Sequence, residues 1–155
     1  MDRIFSYPRL DIFHYCGHSE ISNNMIHFRL IQDLFPAIDI SLQYPALFFL
    51  NMCESDITIT QKIYFKGYEK LNFPFAVMKQ GARACVATLW PVVDETASRF
   101  AIKFYEEILN GTQFGTAIRS VKARLAKTSD PNDVTWLSFV IYGSPYNSTL
   151  NFKKS

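Results

Sequence analysis

The stretch that most constrains this chain is residues 46–56, which read ALFFLNMCESD. An unbroken apolar run rich in Phe comes first and passes directly into polar residues. Such a run, preceded by Pro45, predicts a strand buried on both faces, the kind found inside a parallel sheet. The prediction puts Cys53 at the carboxyl end of that strand. Ligands and reactive groups collect at this end of open parallel sheets, because the loops there are free to carry them.

The composition is that of a single folded domain. A chain of 155 residues, 48% of them hydrophobic, can bury a core without disulfides or metals. Sixteen Lys and Arg against 14 Asp and Glu leave a net charge of +2, too small to favour nucleic acid or an anionic membrane as a partner. No apolar segment approaches the roughly 20 residues that cross a bilayer, and no leader-like apolar region opens the chain. Three cysteines without a scaffold spacing suit a reducing compartment, so we expect a cytoplasmic protein.

The remaining patterns predict an α/β layered domain with a mostly parallel sheet flanked by helices. Apolar runs predict strands at 10–16, 46–53, 84–90 and 136–142, with a short hairpin strand at 25–30. Helical spacing predicts helices at 71–80, from 94 to about 110, and at 114–126. Gly81 and Gly111 are expected to end the first two helices, and Asp94 to cap the second through its carboxylate.

The segments between these elements complete the predicted organisation. Residues 1–9 are a lead-in, 10–145 form the domain and 146–155 make a polar tail that we expect to be frayed. Residues 33–43 are expected to form an irregular connection, and the aperiodic residues 57–70 a loop or lid with a short helix. The chain has no glycine-rich phosphate loop or Walker pattern, so we expect no nucleotide and no other cofactor.

Two strand ends carry the predicted chemistry. His18 is expected just past the first strand, and Cys53 at the end of the next buried one. If these strands are neighbours in a parallel sheet, the two side chains emerge along one edge and can form a Cys–His dyad. The imidazole would take the thiol proton, the sulfur would attack a carbonyl carbon, and the backbone N–H groups of Gly17, Ser19 and Cys53 would hold the oxyanion. Free cysteine is also among the most buried residue types, so simple packing is the competing interpretation of Cys53.

Several segments, taken together and in order, carry a family resemblance. They are DIFHYCGH at 11–18, LNMCES at 50–55, GAR at 81–83, ATLWPVVD at 87–94, FY at 104–105 and FVIYG at 139–143. In this combination they resemble the CHAT domain, a family of caspase-like cysteine proteases that is related to separases and often attached to TPR repeats. The resemblance covers about residues 10–145 and implies a caspase–hemoglobinase fold with His18 as base and Cys53 as nucleophile. It further implies a cysteine endopeptidase that cleaves a protein substrate through a thioester and is controlled by an attached or partner module, of TPR type or other.

Two features depart from the family pattern. Ser19 follows the histidine where the family usually has glycine, and at a position that needed positive φ a serine would cost about 1 kcal/mol and displace the oxyanion donor. Only about ten residues precede the first strand pattern, so amino-terminal strands of the sheet are expected to be missing or shortened. The chain could then be a fragment, a minimal member or half of an assembly, with an uncovered strand edge. The main rival interpretation is a catalytically inactive CHAT-like binding or scaffold module.

Acidic residues near the strand ends suggest a substrate pocket by analogy. Related separases have an acidic residue in a similar Leu-Trp motif that helps recognise an arginine before the scissile bond. By that analogy, Glu54, Asp56 and Asp94 could line a pocket for a basic P1 side chain, with paired carboxylate and guanidinium supplying the selectivity.

Metal binding is a third possibility. His14, Cys16 and His18 alternate along a strand and therefore share a face, which together with Cys53 allows a zinc-stabilised interaction domain. Structural zinc sites usually bring a tighter Cys-x-x-Cys pair, so we expect no metal. The plainer expectation places His14 and Cys85 in the core and leaves His27 exposed.

Overall fold

The computed structural model describes residues 11–22, 25–29, 33–36, 47–53, 73–128 and 130–149. For some residues inside these ranges the description covers the backbone alone: Ser19, Ile21, Ser22, Met25, Ile26, Met52, Cys53 and Phe73. The described residues form six strands and four helices. In chain order they are β1 (Ile12–Ser22), β2 (Met25–Arg29), β3 (Leu34–Pro36), β4 (Leu47–Cys53), α1 (Phe73–Lys79), β5 (Ala84–Thr88), α2 (Asp94–Leu109), α3 (Phe114–Thr128), α4 (Thr135–Ser138) and β6 (Phe139–Gly143).

The strands form one sheet in the order β3-β2-β1-β4-β5-β6. The central strands β1, β4 and β5 run parallel, and β6 is antiparallel to β5. These four strands and the helices beside them confirm the predicted α/β fold with its mostly parallel sheet and flanking helices. The hairpin strands β2 and β3 extend the sheet with antiparallel pairs, so in the described part of the chain β1 has neighbours on both sides.

The apolar run of β4 explains why this strand lies in the middle. Its first four residues have no exposed surface and alternate between two cores. Leu47 and Phe49 pack with residues of α2 and α3, whereas Phe48 and Leu50 pack on the other face with residues of α1 and β2. Helices therefore cover both faces of the parallel strands, as such a sheet requires.

The two predicted helix-ending glycines are confirmed, but the predicted cap is not. Gly81 and Gly111 have φ values of 98° and 86°, the left-handed conformation that terminates a helix. Asp94 is the first residue of α2, and the residue before it, Val93, is extended and makes no side-chain cap. The prediction that Asp94 caps the helix was therefore wrong, and its carboxylate lies in the first turn, where the helix dipole favours a negative charge.

Three strand predictions also needed correction. β1 does not end before Gly17 but continues to Ser22, because residues 19–22 pair with β2. The last apolar run begins as the helix α4, so that β6 starts only at Phe139. The expected irregular connection at 33–43 contains β3, which adds the outer strand of the hairpin.

The beginning of the polar tail is tied to the helices rather than frayed. The Phe114 N–H donates to the carbonyl of Asn147 at 2.8 Å, and the Thr149 hydroxyl donates to the carbonyl of Ile108 at 2.6 Å. These bonds satisfy backbone groups that helix ends leave without an intrahelical partner. Among the described residues, no helix combines the length and the apolar character needed to cross a membrane.

Candidate active site

The backbone brings His18 and Cys53 side by side. Their Cα atoms are partners in the parallel register of β1 and β4, immediately after Gly17 and Met52. Neighbouring strands lie about 4.8 Å apart in a sheet, so the two residues are adjacent although 34 others separate them in the chain. Cys53 is the last residue of β4, at the carboxyl edge of the parallel strands, which is where the sequence placed it.

His18 reaches this edge from inside a strand. The sequence predicted a position just past the end of β1, which was wrong, because β1 continues for four more residues alongside β2. The His18 side chain is nevertheless exposed. Alternation along β1 puts it on the same sheet face as His14 and Cys16, and His14 contacts Tyr105 of α2 on that face.

The predicted oxyanion donors are backbone groups of the same region. Gly17 and Ser19 both lie within β1, in register with Met52 and Phe28 respectively. Ser19 is extended, a conformation that serine adopts without strain, so the expected cost of replacing glycine does not arise. The assignment of Gly17, Ser19 and Cys53 as donors stays a prediction.

His14 and Cys16 share the His18 face of β1, but they form no metal site with any residue that the structure describes. The His14 ring lies 4.9 Å from Phe49 and 5.7 Å from Tyr105, centroid to centroid. Partial burial against these rings lowers the pKa of His14, although the residue is more exposed than the core position we predicted. Cys16 is exposed. No group of three His, Cys, Asp or Glu within the described residues could hold a metal ion, so the zinc interpretation gains no support from them.

Two buried polar atoms lie on this face and were missed by the sequence reasoning. Asn51 is the register partner of Cys16, two residues before Cys53, and its side-chain oxygen Oδ1 has no hydrogen-bond partner among the described residues. The hydroxyl of Tyr105 is likewise buried without a partner in the described part of the chain, and burial raises its pKa. A signal for Asn51 was available, since it is a polar residue inside an apolar strand, and buried polar groups are normally satisfied.

The predicted substrate-pocket residues are only partly described. Glu54 and Asp56 lie outside the described residues, as do residues 57–70. Asp94 is exposed and follows the loop that leaves the carboxyl end of β5, the strand next to β4. Because β5 runs parallel to β4, the loop that ends at Asp94 leaves the sheet at the edge where Cys53 lies.

A hydrogen-bond network secures the loop before Asp94. The Val93 N–H donates to the hydroxyl of Thr135 at 3.2 Å, and the Thr135 N–H donates to a carboxylate oxygen of Asp133 at 2.9 Å. The Thr96 hydroxyl donates to the other carboxylate oxygen of Asp133. Both threonines are buried, so the start of α2 is locked to the turn before α4.

The remaining expectations for single residues were settled by burial. Cys85 has no exposed surface, which confirms the prediction of a core cysteine. His27 is only 6% exposed, so the prediction that it lies on the surface was wrong. It lies in β2 opposite Glu20 of β1, within the hairpin extension that the sequence did not place against the sheet.

A comparison with protein families defines the class of this chain. The family model described as the CHAT domain matches residues 5–144. The chain therefore belongs to the CHAT domain family, which is related to the caspase-like cysteine proteases. No curated protein matches the chain.

Proposed function

We propose that this chain is a cysteine endopeptidase of the CHAT type, with Cys53 as the nucleophile and His18 as the base. The observation that carries the proposal is the parallel register that pairs these two residues at the carboxyl edge of the sheet. The exposure of His18 supports it, because a substrate must reach the imidazole. Membership of a family related to caspase-like proteases supplies the reaction class.

The proposed reaction has two stages. His18 accepts the proton of the Cys53 thiol, and the sulfur forms a bond to the carbonyl carbon of the scissile peptide. The C–N bond then breaks, the amine leaves with the proton returned by His18, and an acyl thioester remains on Cys53. A water molecule, deprotonated by His18, attacks the thioester, and the carboxylic acid product and free thiol are released.

Backbone groups and nearby carboxylates complete the proposed site. The N–H groups of Gly17, Ser19 and Cys53 would stabilise the oxyanion that forms at each stage. Asp94, Glu54 and Asp56 would recognise a basic P1 side chain of the protein substrate. The network around Asp133 supports the role of Asp94, because it holds the loop that leads to that residue.

We further propose that a partner or attached module, of TPR type or other, regulates the site. Residues 57–70 are the proposed activation or substrate segment, since only residues 54–56 separate them from Cys53 in the chain. The proposed compartment is the cytoplasm, whose reducing conditions suit a catalytic thiol.

The test is the reactivity of Cys53 towards iodoacetamide, mapped by mass spectrometry over a pH series. Cys16, which is exposed, and Cys85, which is buried, are internal references within the same chain. Near neutral pH we expect Cys53 to react at least about tenfold faster than Cys16, because an adjacent imidazole raises the thiolate fraction. His18→Ala should abolish this advantage, whereas the control His14→Ala, a histidine of the same strand and face, should preserve it.

The opposite result is equally clear. If Cys53 reacts no faster than Cys16 and is indifferent to His18→Ala, the chain has no activated dyad. The binding or scaffold interpretation would then replace the endopeptidase.

A further inference from the structure

Asn51 is a buried polar residue that follows the apolar run of β4. The four residues before it have no exposed surface, and Asn51 itself is only 9% exposed. Its side-chain oxygen Oδ1 is shielded from solvent and has no hydrogen-bond partner within the described part of the chain. An unpaired buried acceptor destabilises a folded protein, so such a group calls for a partner or a function.

The register of the sheet places Asn51 diagonally opposite His18. Asn51 is the register partner of Cys16, and His18 lies two residues further along β1, as the partner of Cys53. Because side chains alternate along a strand, positions 16, 18, 51 and 53 all lie on the sheet face that α2 covers. A strand spacing of about 4.8 Å and a rise of about 3.3 Å per residue put the Cα atoms of Asn51 and His18 about 8 Å apart. An asparagine and a histidine side chain can bridge that distance.

The other described donors on this face leave the Asn51 oxygen unpaired. The thiol of Cys16, directly opposite, is exposed and does not bond to it. The ring of His14, which lies diagonally on the other side, packs against two aromatic rings. The hydroxyl of Tyr105 is buried without a partner of its own in the described ranges. His18 is the donor with freedom to turn, because its side chain is exposed and makes no printed ring contact with the described residues.

An acceptor in this position suits a histidine that acts as a base. A neutral imidazole has one N–H and one acceptor nitrogen, and the hydrogen bond that the N–H makes decides which nitrogen stays free. If the N–H of His18 donates to Asn51, the other nitrogen is free to accept the thiol proton of Cys53. Hydrogen bonds between catalytic groups are often long in a free enzyme and tighten only when substrate binds.

We propose that Asn51 is a positioning residue, whose Oδ1 accepts a hydrogen bond from the imidazole of His18 and so turns the free ring nitrogen towards Cys53. The inference rests on the proposed cysteine-protease function and adds a third member to the dyad. It also explains why a polar residue stands in this buried part of β4, since its partner is a ring that turns inward when the site is at work. The amide is uncharged, so the pairing adds no second buried charge.

The experiment compares three variants of the full chain. Asn51→Leu removes the acceptor at similar size and continues the apolar run, so we expect it to fold. Asn51→Asp keeps an acceptor. Tyr105→Phe is the matched control, because it removes the other buried polar atom on this face that lacks a described partner.

The first readout, taken without substrate, is the nitrogen NMR spectrum of the histidine rings, which shows how the proton is shared between the two ring nitrogens. We expect Asn51→Leu to change the tautomer of His18 and Tyr105→Phe to leave it at the wild-type state. Asn51→Asp should raise the pH at which His18 titrates by about one unit, because a carboxylate favours the charged imidazolium. His14 is the internal reference and should keep its tautomer in Asn51→Leu.

The second readout is the turnover of p-nitrophenyl acetate. The acetyl group passes to the Cys53 sulfur as p-nitrophenolate leaves, and water that His18 deprotonates then hydrolyses the thioester. Asn51→Leu should slow this hydrolysis by about tenfold, because the base is no longer oriented. Asn51→Asp should restore most of the rate. A purely structural role of Asn51 would make both variants equally slow and leave the His18 tautomer unchanged.

Each outcome decides a separate question. An unchanged His18 tautomer in Asn51→Leu would overturn the positioning role, as would the same change in Tyr105→Phe. If the tautomer changes while wild-type Cys53 reacts no faster than Cys16 with iodoacetamide, the bond from His18 to Asn51 stands and the proposed protease function fails. If Asn51→Leu does not fold, Asn51→Asp decides, and a wild-type titration of His18 in that variant would overturn the proposal.

Discussion

The hydroxyl of Thr96 donates a hydrogen bond to the carboxylate of Asp133, which joins the first turn of α2 to the turn before α4. This bond, together with those from Thr135, holds the pKa of Asp133 below its usual range. Since the same network binds the N–H of Val93, it also secures the loop that ends at Asp94. A proposed specificity residue thus depends on a contact between two distant parts of the chain.

Asp133→Asn should lower the free energy of unfolding at pH 7 by about 1 kcal/mol, because the variant loses the charged carboxylate that accepts the hydrogen bonds of this network. The cost stays near this value because the carboxylate is largely solvated. A carboxyl with a depressed folded-state pKa stabilises the fold above its unfolded value, about 3.9, and loses that contribution as the pH falls through the folded-state pKa. The difference between wild type and variant should therefore shrink below about pH 4. Urea unfolding of the wild type and the variant at pH 7 and at pH 3 measures this difference in stability.

The matched control for this prediction is Asp130→Asn. Asp130 is exposed, and its carboxylate accepts a local bond from the Asn132 N–H at 2.8 Å. Equal destabilisation by the two variants would contradict a special role for Asp133.

His14 should titrate below the ordinary histidine value of about 6.5, because protonation would place a charge against Phe49 and Tyr105. The unfolded chain then binds the proton more readily than the folded chain. His14 therefore makes its full contribution to the free energy of unfolding above about pH 6.5, and this contribution declines as the pH falls below that value. His14→Phe keeps a ring in place and should flatten the stability profile between about pH 7 and 5. NMR titration of His14 at or above the ordinary value would refute the prediction.

Tyr105→Phe should leave stability unchanged or raise it by up to about 1 kcal/mol, because the removed hydroxyl is buried without a partner among the described residues. Tyr15→Phe removes a hydroxyl that contacts two carbonyls and should cost about 1 kcal/mol. Thermal and urea unfolding of the pair give the comparison. A clear loss in Tyr105→Phe would show that its hydroxyl has a partner elsewhere in the chain.

Phe100→Ala should cost about 3–5 kcal/mol, since it leaves a large cavity in a close-packed core. The Phe100 ring has no exposed surface and stacks on Phe139 of β6 at 3.9 Å between centroids. Ile102→Ala is the control, on the same helix but 60% exposed, and should cost well under half as much. Similar unfolding midpoints for the two variants would contradict the assigned core.

Asp94→Asn should lower kcat/KM for peptides with a basic P1 residue by about tenfold, if the carboxylate pairs with that side chain. Glu95→Gln removes the neighbouring charge from the same exposed first turn and should have little effect. The assay compares each variant on substrates with arginine and with an uncharged residue at P1. An equal loss on both substrates would show that Asp94 does not select the basic side chain.

Much of the architecture was predictable because it depends on local patterns. The buried run of β4, the periodic apolar face of α2 and the glycines at 81 and 111 all specify their structure within a few turns of chain. The errors fell where pairing or side-chain hydrogen bonds between distant segments override local preference. β1 continues because β2 pairs with it, and residues 136–138, whose apolar pattern predicted a strand, form part of a short helix whose Ser138 carbonyl binds the N–H of Leu89.

The candidate site also combines features that local sequence predicts with features that depend on contacts between distant segments. The sequence by itself determined which residue types stand at the strand ends, and therefore that a thiol and an imidazole were available for chemistry. Only the tertiary structure decided that His18 and Cys53 are register partners, that Tyr15 holds the carbonyl of His18, and that Asp133 secures the loop before Asp94. The physical reason is that strand register and hydrogen bonds between distant segments depend on how whole faces pack together, which no local pattern encodes.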